Sequence, residues 1–499
     1  MSETALSRGE GASALESRLS WLRRRANVES GAALRVVCAG AFAYAVLFAV
    51  AAALHFLAFK TGRFDNGNMV QAIWNTLHGH VLETTLLTGR QANRFGGHVD
   101  PFLLLLAPLF WIWSSPLLLP IVQAVAVASG AFPVFWLARK HLASSRSAAR
   151  FAFAYLLYPA TQFNAFTIAD GFHSVAMAVP LVLYAVWFLD EDQLVAFSAV
   201  ALVAASTKEE IPVAIGCLGI WYAVRRGRRL FGLSVFAAGL SISLFNFLWV
   251  IPHFSTTGTE PFAGRYRAVG GTPTGIAHKL VTDPMAFVHA VASNHNLFYL
   301  CLLFVPFLGL CFFEPLLLLG ALPDLAINLL SNRGEQTSLP YQYTAGIVPF
   351  IVVASIFGAR RFRNRAERLS LWLLAAVAAI AIYSPIVGLT GDIPALRSPL
   401  AAAETRAVSL IPEGVPVSAS NLLGGHLSER NYISTFPYVK HARWIIFDLN
   451  DPSYGTPSQA RAAGIYLNFK RSARRYESAK RWQKVFSSHG VVVLRKRSG

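Results

Sequence analysis

Charged and hydrogen-bonding side chains stand at the ends of apolar runs in this chain, and their types suit proton transfer and anion binding. Asp65 and Gln71 lie in the string RFDNGNMVQAIW, followed by His78 and His80, then Arg94, His98 and Asp100. Asp170 and His173 belong to DGFH, and Lys208, Glu209 and Glu210 to TKEE. Glu260, Arg265, Tyr266 and Arg267 occupy a later polar loop. A carboxylate can take a proton from a hydroxyl within hydrogen-bond reach. Arginine and lysine can hold an anionic group through charge-assisted hydrogen bonds.

Each of these residues also has a purely structural reading. Asp65 can cap the helix expected through Gln71 to Leu77, because an aspartate at an N-cap accepts backbone N–H bonds. His98 and His173 can be satisfied interfacial histidines. Glu209 and Glu210 can hold two helix ends together by pairing with Lys208 or an arginine. The spacings Asp65 to His98 and Asp170 to His173 match no compact metal motif, so a divalent metal is not indicated by one. The 36 phenylalanines carry no site information.

The elements that must position these residues are set by composition. The 499 residues are 54% hydrophobic and only 14% charged, against about a quarter charged in soluble domains. Apolar runs recur from Ala32 to about Leu389. In lipid each unpaired backbone group costs several kcal/mol, so runs of this length must be helices. The chain is expected to be a polytopic α-helical membrane protein, which excludes a cytosolic enzyme and a disulfide scaffold. Cys38, Cys217, Cys301 and Cys311 all lie inside apolar runs, as small packed or lipid-facing residues do. No cleavable signal peptide is apparent ahead of the first run.

The net charge of +18 would suggest nucleic acid in a soluble chain. Here it has a simpler source, since basic residues on cytoplasmic loops orient membrane proteins. Clusters at Arg23–Arg25, Arg139–Arg150, Arg225–Arg229 and Arg360–Arg368 require an even number of spans between successive clusters. That parity gives about eleven spans, near 33–57, 117–138, 147–165, 174–189, 193–206, 211–224, 229–252, 297–313, 316–331, 341–358 and 369–390. Val99–Trp113, broken by Pro101 and Pro108, is then an interfacial or re-entrant helix. Residues 1–32 form a polar cytoplasmic N-terminus, 33–390 the transmembrane domain, and 58–116 and 253–296 its external loops. The short runs either side of Thr207-Lys208-Glu209-Glu210 read as helices meeting at a polar pocket. All the unusual polar residues then fall on one side, where charge near a bilayer makes a functional pocket the default hypothesis.

After Leu389 the composition changes. Residues 391–499 carry 16 basic and 7 acidic side chains, half of the chain's positive excess. Val415–Ser420, Trp444–Leu449 and Gly490–Leu494 read as strands, with helix-compatible stretches at Ser458–Ala463 and Lys470–Lys484. This is expected to be a small external α/β domain.

The strings FDNGNMVQAIWNTLHGH, FGGHVDPFLLLLAPLF, GFHSVAMAVPLVL and TKEEIPVA resemble the predicted membrane proteins of the DUF2079 family. That family is similar in layout to GT-C glycosyltransferases. The likeness covers about residues 60–450, with Gln342 standing where a histidine is expected. It implies an acidic residue of the first external loop, here Asp65 with Glu209 as its companion, acting in catalysis. It also implies juxtamembrane helices, an external soluble domain and a polyprenyl-phosphate sugar donor entering from the lipid. Gln71, Arg94, His98, Asp170, His173, Lys208, Glu210, Arg265 and Arg267 are the expected substrate-binding residues. The competing reading is a transporter or flippase of a lipid-linked sugar, suggested by the broken helices around Thr207–Glu210. Against it, no internal repeat is evident and the acids gather at one face rather than the bilayer midplane.

Overall fold

The computed structural model describes residues 3–167, 171–257, 262–454 and 465–497. Among these, four helices are long and apolar enough to cross a bilayer: Glu29–Leu57, Leu118–Leu142, Arg229–Phe254 and Gln342–Ala379. The shortest has 25 residues; at ~1.5 Å per residue it exceeds the ~30 Å hydrocarbon core. Shorter apolar helices, Phe102–Ile112, Ser174–Asp190, Leu194–Ala205 and Pro315–Leu329, pack among them. The helix expected at 99–113 is indeed short, and it leaves Trp111 and Ile112 exposed at its end.

Two expected spans are not continuous. The stretches near 297–313 and 316–331 are chains of short helices, Asn294–Phe304, Leu310–Phe313, Pro315–Leu318 and Leu322–Leu329. Pro306 and Pro315 lack the N–H that a helix interior needs. Between them Leu308 and Gly309 adopt left-handed φ of 55° and 63°, which ends the first helix.

Gln342–Ala379 is not one rod either. Phe362 leaves helical φ/ψ inside Arg360–Arg365, and the contacts show the chain reversing there. Phe357 packs on His141, with ring centroids 4.2 Å apart, near the end of the Leu118–Leu142 helix. Just beyond the bend, Ser370 bonds Ser147 at 3.3 Å, near the start of the Ser145–Leu157 helix. The two arms therefore pack on different neighbours, the Leu118–Leu142 and Ser145–Leu157 helices. Elsewhere Gly216, Gly219, Gly232 and Gly239 line the contact between Ile211–Arg226 and Arg229–Phe245. Small residues matter there because backbones in lipid associate by close packing rather than by a hydrophobic force.

The basic clusters converge on one end of the bundle. Lys140 contacts Asp190 at 2.7 Å and Glu191 at 2.5 Å, Arg226 contacts Asp190 at 3.3 Å, and Arg225 contacts Glu314 at 2.6 Å. Arg139 reaches Ser30 at 3.4 Å, so the first long helix starts at this same end. Arg146 and Glu367 lie 3.8 Å apart.

At the opposite end the chain forms a short antiparallel ribbon, β1 (Glu83–Thr85) with β2 (Gln91–Asn93). The C-terminal region builds a separate sheet from β3 (Val417–Ala419), β4 (Ile433–Thr435), β5 (Trp444–Asp448), β6 (Trp482–Ser488) and β7 (Val491–Lys496), in the order β4-β3-β5-β7-β6. Three of these match the expected strands. The expected helix at Lys470–Lys484 is corrected: the helix is Ile465–Ser478, and Trp482 already belongs to β6. Trp482 is buried there, packed in a cluster with Phe436, Phe447 and Leu494. The expected helix at Ser458–Ala463 lies outside the described residues. His426 docks the sheet domain onto the first long helix, stacked between Phe56 and Phe59 at 3.9 and 4.0 Å. Its Nε2 bonds the Phe56 carbonyl at 2.9 Å.

Candidate functional site

Asp65 sits inside a five-residue π-helical turn, Arg63–Gly67, which leads directly into the helix Asn68–Leu77. The N-cap positions of the two elements are Gly62 and Gly67, so Asp65 is not a helix cap. Its side chain is half-buried. π-Turns are costly and recur at functional sites. The DGFH segment packs against this turn: a side chain at Gly171 (φ 78°) would collide with Thr61 and Asn66. Glycine alone suits that left-handed φ and close approach. The backbone N–H of His173 donates to Gln123 Oε1 at 2.8 Å. Asp170 and Glu260 lie outside the described residues.

Arg94 is the hub of the polar cluster. Its Nε donates to both oxygens of Asp100 at 2.9 Å, its Nη2 to Oδ2 at 2.8 Å, and its Nη1 to Asn68 Oδ1 at 2.7 Å. Ser174 Oγ donates to the same Asp100 oxygen at 2.9 Å. Asp65 and Glu209 also interact favourably with the Arg94 charge. Glu209 in turn accepts from His98 Nδ1 at 2.9 Å and from the Val99 N–H at 2.9 Å. Burial opposes the Glu209 charge, but His98 and Lys208 outweigh it and hold this carboxyl well below its usual range. His98 joins Arg94 to Glu209, its backbone N–H donating to the Arg94 carbonyl at 3.1 Å, and Arg94 grips Asn68 directly after the turn that carries Asp65.

A second group lies behind the first. Lys208 Nζ contacts Glu210 Oε1 at 2.5 Å, and Asp324 interacts electrostatically with both. Asp324 is buried in Leu322–Leu329. Sequence reading missed it, although an aspartate within an apolar run is itself a signal of function.

The third part is an open cavity of about 550 Å³ lined by Phe262, Gly264, Arg265, Arg267, Asn332 and Arg333. The Arg265 guanidinium lies 4.3 Å from the Phe262 ring centroid. The same ring stacks on His98 at 5.0 Å and 20°, which ties the cavity to the Glu209 cluster. Arg333 was not among the expected residues; no local pattern marks it, because the Arg265 backbone carbonyl reaches it only through Asn332, whose N–H donates at 2.8 Å.

Gln71 does not join this cluster. It is fully buried, its Nε2 donating to Thr85 Oγ1 at 2.9 Å and to the Asn431 carbonyl at 2.9 Å, while its Oε1 accepts from the Thr85 N–H at 3.0 Å. It ties the first loop to the C-terminal domain. Among the described residues no three His, Cys, Asp or Glu side chains gather as a metal site.

The sequence model of the DUF2079 family, described as predicted membrane protein, matches residues 56–486. The chain is a member of the DUF2079 family. Two crystal structures of ArnT from Cupriavidus metallidurans, one bound to undecaprenyl phosphate and one in the apo state, are similar to this DUF2079 protein. Each is 13% identical, with TM-scores of 0.48 and 0.47; the matches cover 90% and 91% of this chain and 97% and 98% of theirs. No curated protein matches it.

Proposed function

We propose that this DUF2079 protein is a membrane glycosyltransferase that moves a sugar from a polyprenyl-phosphate donor to an acceptor hydroxyl. The observation that carries the reading is one juxtaposition. The π-turn that carries Asp65 runs into Asn68, which Arg94 grips at 2.7 Å, and from Arg94 the contacts run through His98 and Phe262 to an arginine-lined cavity. Asp65 takes the acceptor's proton as its oxygen attacks the anomeric carbon, and the bond from that carbon to the phosphate oxygen breaks. Arg265, Arg267 and Arg333 hold the departing phosphate through charge-assisted hydrogen bonds. Glu209, expected beside Asp65 in catalysis, is assigned positioning instead, since both of its oxygens already accept hydrogen bonds.

The decisive experiment incubates the purified protein in lipid with radiolabelled polyprenyl-phosphate sugars and candidate acceptors. Transfer that depends on Asp65 supports the reading. Arg265→Ala and Arg333→Ala should each weaken donor binding by about 10- to 100-fold, the range for losing one hydrogen bond to a charged group. Unchanged donor KM in both variants would remove the cavity from the mechanism.

The Lys208, Glu210 and Asp324 group favours the second reading, a transporter or flippase, because buried charge at a helix break suits substrate coupling. Under that reading the lipid-linked sugar crosses the bilayer unconsumed, and a vesicle flipping assay would detect it.

We place the basic end in the cytoplasm, the eleven crossings between the two faces, and residues 391–499 outside, following the bias of arginine and lysine. In a variant lacking the four cysteines, a cysteine at Tyr438 should react with an impermeant reagent added to intact cells, and one at Arg225 should not. The reverse pattern would invert the topology.

A further inference from the structure

The turn that carries Asp65 is not held by the membrane domain alone. Its hydrogen bond from the Gly67 N–H to the Gly62 carbonyl is long at 3.3 Å, and wide turns of this kind are rare. Contacts from beyond residue 391 hold it. Asn421 Oδ1 accepts the Phe64 N–H at 2.9 Å, and Asn421 is itself anchored by its Nδ2 donating to Ser453 Oγ at 2.8 Å. Arg63, 1% exposed, donates to Thr435 Oγ1 at 2.5 Å and to the Thr85 carbonyl. The fit is close on both sides, since a side chain at Gly62 would collide with Asn421 and one at Gly67 with the Ser428 hydroxyl.

We propose that the C-terminal domain is a working part of the site, with Asn421 and Thr435 as positioning residues that grip Phe64 and Arg63 and so aim Asp65. The two contacts flank Asp65 on its N-terminal side, one on the backbone and one on a side chain. Neither residue has a contact to the arginine-lined cavity among those described, so their effect runs through the turn. Arg63 and Phe64 immediately precede the carboxylate, and a misplacement of about 1 Å at a reacting group can cost about 100-fold in rate. The domain thereby acts on catalysis rather than on donor binding. This consequence rests on Asp65 being the reacting carboxylate; the grip itself does not.

The test uses the full chain in lipid nanodiscs and two readouts. By hydrogen–deuterium exchange, Asn421→Ala should speed exchange of the backbone amides from Phe64 to Asn68 by about tenfold, as expected for releasing one local turn. Amides of β5 and β7 should keep wild-type rates. Asn421→Asp keeps an acceptor for the Phe64 N–H and should restore the protection. Thr435→Val is nearly isosteric, removes only the acceptor for Arg63, and should loosen the same amides. In the transfer assay both Asn421→Ala and Thr435→Val should lower kcat by about 10- to 100-fold while donor KM stays within about twofold. Unchanged exchange in the turn overturns the proposal. So does equal acceleration throughout the C-terminal sheet, which would mark Asn421 as an ordinary stabilising residue. Exchange needs no substrate, so a wild-type protein that transfers no sugar would sink the glycosyltransferase reading while the turn amides still decide the grip.

Discussion

Asp65→Asn should reduce sugar transfer by about 10²- to 10⁴-fold, the typical contribution of a catalytic base. Asparagine keeps the size of the side chain and one carbonyl acceptor, but loses the charge and the capacity to take a proton near neutral pH. Because the N-cap positions around this turn are Gly62 and Gly67, the substitution does not strip a helix cap. The variant should therefore insert, purify as a single species and keep the wild-type thermal midpoint. Turnover with saturating donor and acceptor is the measurement. A loss smaller than about tenfold would remove Asp65 from the proton-transfer role. A protein that no longer inserts would instead point to a structural need for the charge, through its interaction with Arg94.

Arg94→Ala should be the most destabilising single change in the cluster. Asp100 is 1% exposed, and three of the four hydrogen bonds described to its carboxylate come from Arg94. Removing one partner of a buried ion pair costs about 3–5 kcal/mol, because the other charge stays buried without compensation. Ser174 alone cannot replace a bidentate guanidinium. Arg94→Lys should be intermediate, since an ammonium cannot match the planar fork across two carboxylate oxygens. The double variant Arg94→Ala with Asp100→Asn should recover much of the loss, because it removes the stranded charge as well as its partner. Thermal unfolding of the detergent-solubilised proteins reads these differences. Equal stability of the Ala variant and the wild type would mean that Asp100 finds another partner.

The membrane class, the short helix at 99–113 and three strands of the C-terminal sheet were legible in the linear pattern. Each follows from local physics. Long apolar runs must close their own backbone hydrogen bonds in lipid, proline interrupts them, and strands show as short β-branched runs between polar stretches. The continuity of the spans near 297–313 and 316–331 was not legible. Hydropathy measures apolar content, which Pro306, Gly309 and Pro315 barely lower while they break the helix.

The candidate residues were named from their types, since acids, histidines and arginines beside apolar helices announce themselves by their cost. What each does was decided only by folding. Gln71 and Glu209 were both named for the site as polar residues near helix ends. Gln71 turned out to bind the C-terminal domain through Asn431, a residue 360 positions away, and Glu209 to hold His98 across 111. Asn421, Thr435 and Arg333 carried no local signal, because nothing in their own segments shows that those segments meet the first loop or the Arg265 loop. Residue type and periodicity are local properties, fixed by solvation and backbone geometry. Partnership between segments hundreds of residues apart is settled by the packing of the whole chain, and in this protein that packing determines which carboxylate is clamped and which stands at the turn beside Arg94.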